Sequence, residues 1–201
     1  MPTGRYVVMD GDGNPAGIED FRCAPGPAGW RYVSDIRTKD PEPHSEVVDL
    51  VVDASWRPVR TRIATGEHEL VLTGDGGVLA GVRDGSSLEL PWGPDTHLDY
   101  LSPAFNAATA NRLSATAELG VVFIAAVTCE PRLVRQRYEL LGDKVVSTPV
   151  GRFEARGWRH TSLDSGWAAE LWVAADVVVA FEGLFELESY EPGASGPSPV
   201  G

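Results

Sequence analysis

Gly29-Trp30-Arg31-Tyr32-Val33-Ser34, near the start of the chain, returns as Gly157-Trp158-Arg159-His160-Thr161-Ser162 near its end. Each copy is followed by a similar apolar run, Leu50-Val51-Val52-Asp53-Ala54 after the first and Leu171-Trp172-Val173-Ala174-Ala175 after the second. That order is what one duplicated β-unit produces, and two curled sheets built from such a unit enclose a space between them. Period-two alternation carries the pattern outward. Trp30, Tyr32 and Ser34 share one face of a strand, Val59, Thr61 and Ile63 share one face of another, and His68, Leu70 and Leu72 stand opposite Glu67, Glu69 and Val71. Gly74-Asp75-Gly76-Gly77 and Asp84-Gly85-Ser86 are turns between meander strands.

The expected fold is mainly β, a curled antiparallel sheet forming a β-roll or open barrel from two repeats. A single domain over 1–190 comprises repeat 1 at about 28–90, a connector at about 91–118 and repeat 2 at about 119–190. The Pro/Gly/Ser-rich residues 191–201 are expected to be a disordered tail. In the connector, Ala104 to Arg112 is Ala-rich and reads as the one helix, with Ser102 as its cap and Pro103 at its first position. Lying between the repeats, it is expected to be a lid or connector over the cavity mouth. Strands in the second half are predicted at 121–127, 135–141, 144–147, 153–160, 168–174 and 177–187.

At the amino terminus, Tyr6-Val7-Val8-Met9 and Ile18 to Arg22 flank the turn cluster Asp10 to Pro15 and form a hairpin. Asp10, Asp12 and Asn14 imitate the opening of a calcium loop. Pro15 occupies the position where that loop needs glycine, and Phe21 the position where it needs a bidentate glutamate, so the turn reading prevails.

Bulk composition excludes several classes of function. Acids outnumber bases 29 to 17 in 201 residues, a net charge of −12, which opposes binding to nucleic acid or to an anionic membrane surface. Cys23 and Cys129 lack ligand spacing, and His44, His68, His97 and His160 are scattered, so no metal is expected. Neither a Gly-x-Ser-x-Gly elbow nor a phosphate-cradling glycine loop occurs, and no cofactor is expected. The amino terminus lacks the apolar centre of a signal peptide, and Leu119 to Val127 is too short to span a bilayer. A cytoplasmic protein is expected, with an Ala-, Gly-, Val-, Arg- and Asp-rich composition resembling that of a high-GC bacterium.

Ser102-Pro103-Ala104-Phe105-Asn106, Asn111-Arg112-Leu113, Gln136-Arg137-Tyr138, and Leu171-Trp172-Val173 leading into Phe181-Glu182-Gly183-Leu184-Phe185 resemble a family of bacterial proteins described as glycolipid-binding. The resemblance lies mainly in residues 98–187. Phe105 departs from the family's small polar residue and Thr109 from its proline. The resemblance implies a spiral β-roll of two repeats with a cavity.

Aromatic residues concentrate in the strands and connector, among them Trp56, Trp92, Tyr100, Phe105, Trp158, Trp167, Trp172 and Phe181. On a concave face such rings suit a hydrophobic or amphiphilic small molecule that is lipid-, glycolipid- or polyketide-like; packed between sheet faces they are simply core. The candidate ligand-binding set is Tyr100, Phe105, Asn106, Arg112, Arg137, Trp158, Trp172 and Phe181. An alternative is a cofactor-free cyclase or isomerase of secondary metabolism, using His160, Tyr138 and Glu182 for acid–base work in the same cavity. A third reading makes the aromatic face and the sheet edges an interface, as in a homodimer.

Overall fold

A computed structural model describes residues 1–39 and 42–200. The first half of the chain forms β1 (Thr3–Met9), β2 (Pro15–Gly26), β3 (Gly29–Thr38), β4 (His44–Asp53), β5 (Pro58–Ala64), β6 (Glu69–Asp75), β7 (Val78–Arg83), β8 (Ser86–Pro91) and β9 (Thr96–Asp99). After α1 (Pro103–Arg112) come β10 (Ala117–Ile124), β11 (Pro131–Thr148), β12 (Gly151–Ser162), β13 (Ala168–Ala174), β14 (Val177–Phe181) and β15 (Phe185–Glu191). The fold is mainly β, as the alternation predicts.

All strands belong to one sheet, ordered β8-β7-β6-β5-β4-β3-β2-β1-β15-β14-β13-β12-β11-β10-β9. Neighbours pair antiparallel except β9 and β10, which are parallel. The two ends of the chain meet in mid-sheet, where β1 pairs with β15. The edge strands β8 and β9 are consecutive in the chain, with only residues 92–95 between them. A short link between opposite edges forces the sheet to curl into a nearly closed barrel, which also leaves little strand edge exposed.

Inward residues alternate along each strand: Trp30, Tyr32, Ser34 and Ile36 on β3, and Glu46, Val48, Leu50 and Val52 on β4. The repeated Gly-Trp pair has a steric origin. A Cβ on Gly29, whose φ is +138°, would collide with the Val52 carbonyl oxygen and lie 2.7 Å from the Asp53 carbonyl carbon. One on Gly157 would enter the Trp172 ring. Both glycines let β3 and β12 lie close against the next strand. The copies differ in register, since Trp30 pairs with Val52 and Trp158 with Leu171.

Several strand limits differ from the sequence pattern. Residues 135–141 and 144–147 join in the continuous 18-residue β11, because Gly142, at φ +93°, serves a bulge instead of a turn. Conversely, 177–187 divides at Gly183, φ +71°, into the hairpin of β14 and β15. The helix is where its caps and composition place it, but it is not a lid. Pro103 to Ala110 are all buried, and the helix packs against β4, β9 and β14, strands from both halves of the sheet. It runs through the interior as a plug, and four alanines allow close approach from every side. Ser102 stands at the N-cap but makes no capping bond; its Oγ donates to Glu19 Oε1 at 2.7 Å.

The hairpin turn is held by Asp10, whose Oδ1 accepts from the amides of Asp12 (2.9 Å) and Asn14 (2.8 Å). After β15, the Gly196 amide donates to the Pro192 carbonyl and Val200 bridges to Arg152. Rings of Trp30, Tyr32, Phe21, Tyr6 and Phe185 form a continuous ladder through the core, with neighbouring centroids 4.9–6.2 Å apart. Tyr6 ties this ladder to the other half by donating from its hydroxyl to the Val178 carbonyl at 2.9 Å. Tyr6→Phe keeps the ring and strands that buried carbonyl, so it is expected to cost about 1–2 kcal/mol, read as a lower urea midpoint at unchanged slope.

Candidate functional site

A cavity of about 250 Å³ opens where the end of β9, the helix and the β10–β12 wall converge. Tyr100, Phe123, Trp167, Phe181 and Phe185 supply rings, Leu184, Ala126 and Val134 supply aliphatic surface, and Asp99, Asn106, Arg132, Gln136, His160 and Ser162 supply polar groups. Strand alternation explains which side chains arrive there. Gln136 and Tyr138 on β11 and Trp158 and His160 on β12 point inward, whereas Arg135, Arg137 and Arg159 point out.

His160 is 5% exposed, and neither ring nitrogen has a hydrogen-bond partner among the described residues. Its imidazole is caged by rings, with centroids 5.1 Å from Tyr138, 5.6 Å from Trp167 and 5.8 Å from Phe181. Loss of solvent pushes its pKa down to about 4. It is therefore a neutral acceptor or donor at pH 7 and not a general acid. Trp167, 40% exposed in the β12–β13 turn, covers the imidazole from outside.

Beside it, Asn106 Nδ2 donates to the buried Tyr138 hydroxyl at 3.2 Å. Gln136 Nε2 donates to Asp99 Oδ2 at 2.5 Å. Burial pushes the Asp99 carboxyl up to about 6, against the pull of Gln136 and the Tyr100 amide. Asp99 has no ion-pair partner among the described residues. Arg132 stands exposed at the rim, its guanidinium 4.9 Å from the Phe123 ring centroid.

Behind Tyr100 lies a second polar layer. The Tyr100 hydroxyl donates to Glu46, whose other carboxylate oxygen is 2.6 Å from His44 Nε2. Glu19 accepts from Tyr32 (2.8 Å) and Ser102 (2.7 Å). This layer fixes the Tyr100 ring at the cavity wall by anchoring its far end.

Of the residues singled out by sequence, Tyr100, Asn106, His160 and Phe181 line this cavity. Tyr138 and Phe105 sit immediately behind it, Phe105 with its ring 5.8 Å from Tyr100. Trp158 lines instead a more open groove of about 510 Å³ between the helix end and β11–β13, whose rim carries the Asp143–Arg156 ion pair. Trp172 lies under Lys144, whose Nζ is 3.5 Å from the ring centroid. Arg112 is distant. It donates to the carbonyls of Pro94 and Thr96 and to His97 Nε2, clasping the link between the sheet's edges. Arg137 faces outward and bridges to Glu118, as alternation from inward Tyr138 requires. Glu182 lies in the Gly183 turn and accepts from the Glu170 amide at 3.3 Å.

Asp99, Phe123 and Arg132 join the cavity without a sequence signal of their own. Asp99 ends a four-residue strand whose parallel pairing with β10 no local pattern reveals. Gln136, two residues from Tyr138 on the same strand face, was legible from alternation.

Among the described residues, no group of three or more His, Cys, Asp or Glu is placed to hold a metal ion, and no helix is long and apolar enough to cross a membrane. The chain is similar to the crystal structure of a DUF1089 family protein from Pseudomonas aeruginosa, with 23% identity and a TM-score of 0.64 over 86% of this chain and 92% of that one. It is also similar to a beta-barrel-like protein of the domain of unknown function DUF1849 from Brucella abortus, with 8% identity and a TM-score of 0.54 over 94% of this chain and 96% of that one. Both likenesses are likenesses of fold, a barrel-like sheet in bacterial proteins. No protein-family model and no curated protein matches the chain.

Proposed function

We propose that this protein binds a small, largely apolar molecule with at least one hydrogen-bonding group, in the cavity beside His160. The observation that carries the reading is a buried imidazole, unpartnered at both nitrogens, set in an aromatic-walled hollow. A polar group held this way costs stability unless something else compensates it. Five aromatic rings give large contact area at low entropic cost. The volume of about 250 Å³ sits just below the roughly 300 Å³ at which ligand pockets usually begin. That size favours a one- or two-ring body or a short acyl chain over a whole glycolipid. Native mass spectrometry of the purified protein and calorimetric titration with a panel of aromatic and short-chain amphiphiles test the proposal. A bound small molecule or a saturable heat from the panel supports it; a clean unliganded mass together with silence across the panel refutes it.

One observation favours a second reading, cofactor-free proton transfer. Asp99 is pushed up to about 6 and His160 down to about 4 at the wall of one cavity, so the carboxylate is the stronger base of the two. At pH 7 both are basic forms, so the chemistry would be proton abstraction. Deuterium uptake from D₂O into enolisable carbonyl compounds, lost in Asp99→Asn, is the expected signature.

A further inference from the structure

Asp99 poses an electrostatic problem that the protein leaves unsolved. Its carboxylate is partly shielded from water at the cavity wall and receives hydrogen bonds from Gln136 Nε2 at 2.5 Å and from the Tyr100 amide, yet no Lys, Arg or His among the described residues makes an ion pair with it. A carboxylate partly withdrawn from water and held only by neutral donors carries a desolvation cost, and a cation entering beside it relieves that cost. Among the other interior acids Glu46 faces His44, while Glu19 and Asp176 are held by neutral donors as Asp99 is; Asp99 is the one of these that lines the aromatic cavity.

The surroundings of Asp99 are those that hold an organic cation. Tyr100, Phe123, Trp167 and Phe181 present rings around the same hollow, and ring faces attract a desolvated ammonium. His160, neutral at pH 7, adds no repulsion and offers an acceptor. Of the two amides nearest, Gln136 gives one N–H to Asp99 and Asn106 gives one to Tyr138, which leaves the Asp99 carboxylate as the charged acceptor at the hollow. Phe123 already attracts one cation, the Arg132 guanidinium at 4.9 Å. That guanidinium is exposed, so water screens its repulsion of a second charge. The net charge of −12 draws cations toward the molecule as a whole.

Resting on the binding proposal above, we infer that the ligand is a small amine carried as its ammonium ion, its charge paired with Asp99 and its apolar body against the rings of the cavity. Three probes of matched shape test this by calorimetry at pH 7.5: phenethylamine, 2-phenylethanol and 3-phenylpropionate. The ammonium should bind about tenfold more tightly than the alcohol, and the carboxylate most weakly. In Asp99→Asn, which keeps shape and can still accept from Gln136, the ammonium should fall to the alcohol's affinity while the alcohol stays within a factor of about two. If the alcohol equals or exceeds the ammonium in the unaltered protein, the inference is overturned and the binding proposal stands. That comparison needs no variant, so a poorly folded Asp99→Asn does not spoil it. Silence from all three probes overturns the inference; the reading beneath it falls only when the purified protein also shows a clean unliganded mass and no heat across the wider panel.

Discussion

Replacing His160 by leucine is expected to raise stability at pH 7 by about 1–3 kcal/mol while abolishing ligand binding. The gain arises because the native imidazole is 5% exposed with two unpartnered nitrogens, and leucine fills similar space with no polar atoms. The difference should widen in acid. The pKa of His160 falls from its ordinary 6.5 in the unfolded chain to about 4 in the folded one, so below pH 6.5 the unfolded chain takes up the proton first. The His160 contribution is therefore complete above pH 6.5 and is lost as pH drops toward 4, by a further ~3 kcal/mol. Urea midpoints of both proteins at pH 4.5, 6 and 7.5 measure this, alongside calorimetry with whichever panel ligand binds. A variant less stable than its parent at every pH would show that the imidazole is structural, and unchanged binding would remove it from the site.

Glu19→Gln is expected to act with the opposite pH sign. Glu19 is fully buried, and desolvation, reinforced by nearby Glu46, lifts its carboxyl to about 7 despite hydrogen bonds from Ser102 and Tyr32. The folded chain thus holds a proton that the unfolded chain releases near 4.5, and stability declines as pH rises from about 4.5 through 7. Glutamine cannot ionise and retains an oxygen for both donors. The variant should match its parent near pH 4.5 and exceed it by about 3 kcal/mol at pH 8, where Glu19 is ionised in the core. A stability difference that does not change between pH 5 and 8 would rule out ionisation of Glu19 in this range. His160 and Glu19 pull in opposite directions across overlapping windows, so their contributions offset each other between about pH 4.5 and 6.5, and each substitution should tilt the profile in the direction set by the group that remains.

These two residues illustrate different degrees of legibility. That His160 shares a strand face with Trp158 was readable because it follows by two; that this face is the inward one came from the structure. Its lack of partners was not readable, since partners come from other strands. Glu19 shares a strand face with Phe21 and Cys23, so alternation hints at its direction, but its partners Ser102 and Tyr32 are 83 and 13 residues away and nothing local shows that it would be sealed from water. Arg112 and Arg137 show the complementary limit. Each sits beside a residue of the interior, yet one clasps the sheet's edge link and the other pairs outside with Glu118.

By itself the sequence determined the class of structure. Alternation of period two set the strands and their inward faces, the glycines of the repeat set where strands approach closely, and a serine-proline-alanine run set the helix. What only the tertiary structure decided was what fills the barrel. Sheet curvature follows from the link between β8 and β9 and from pairing of the chain's two ends, contacts of maximal sequence separation. That curvature swallows the helix expected as a lid or connector, reduces the hollow to about 250 Å³, and brings Asp99 from a four-residue strand beside His160. Local pattern encodes which side of a strand is wet, because neighbours two apart share a face. It cannot encode which strangers share a cavity, because that depends on closure of the whole sheet.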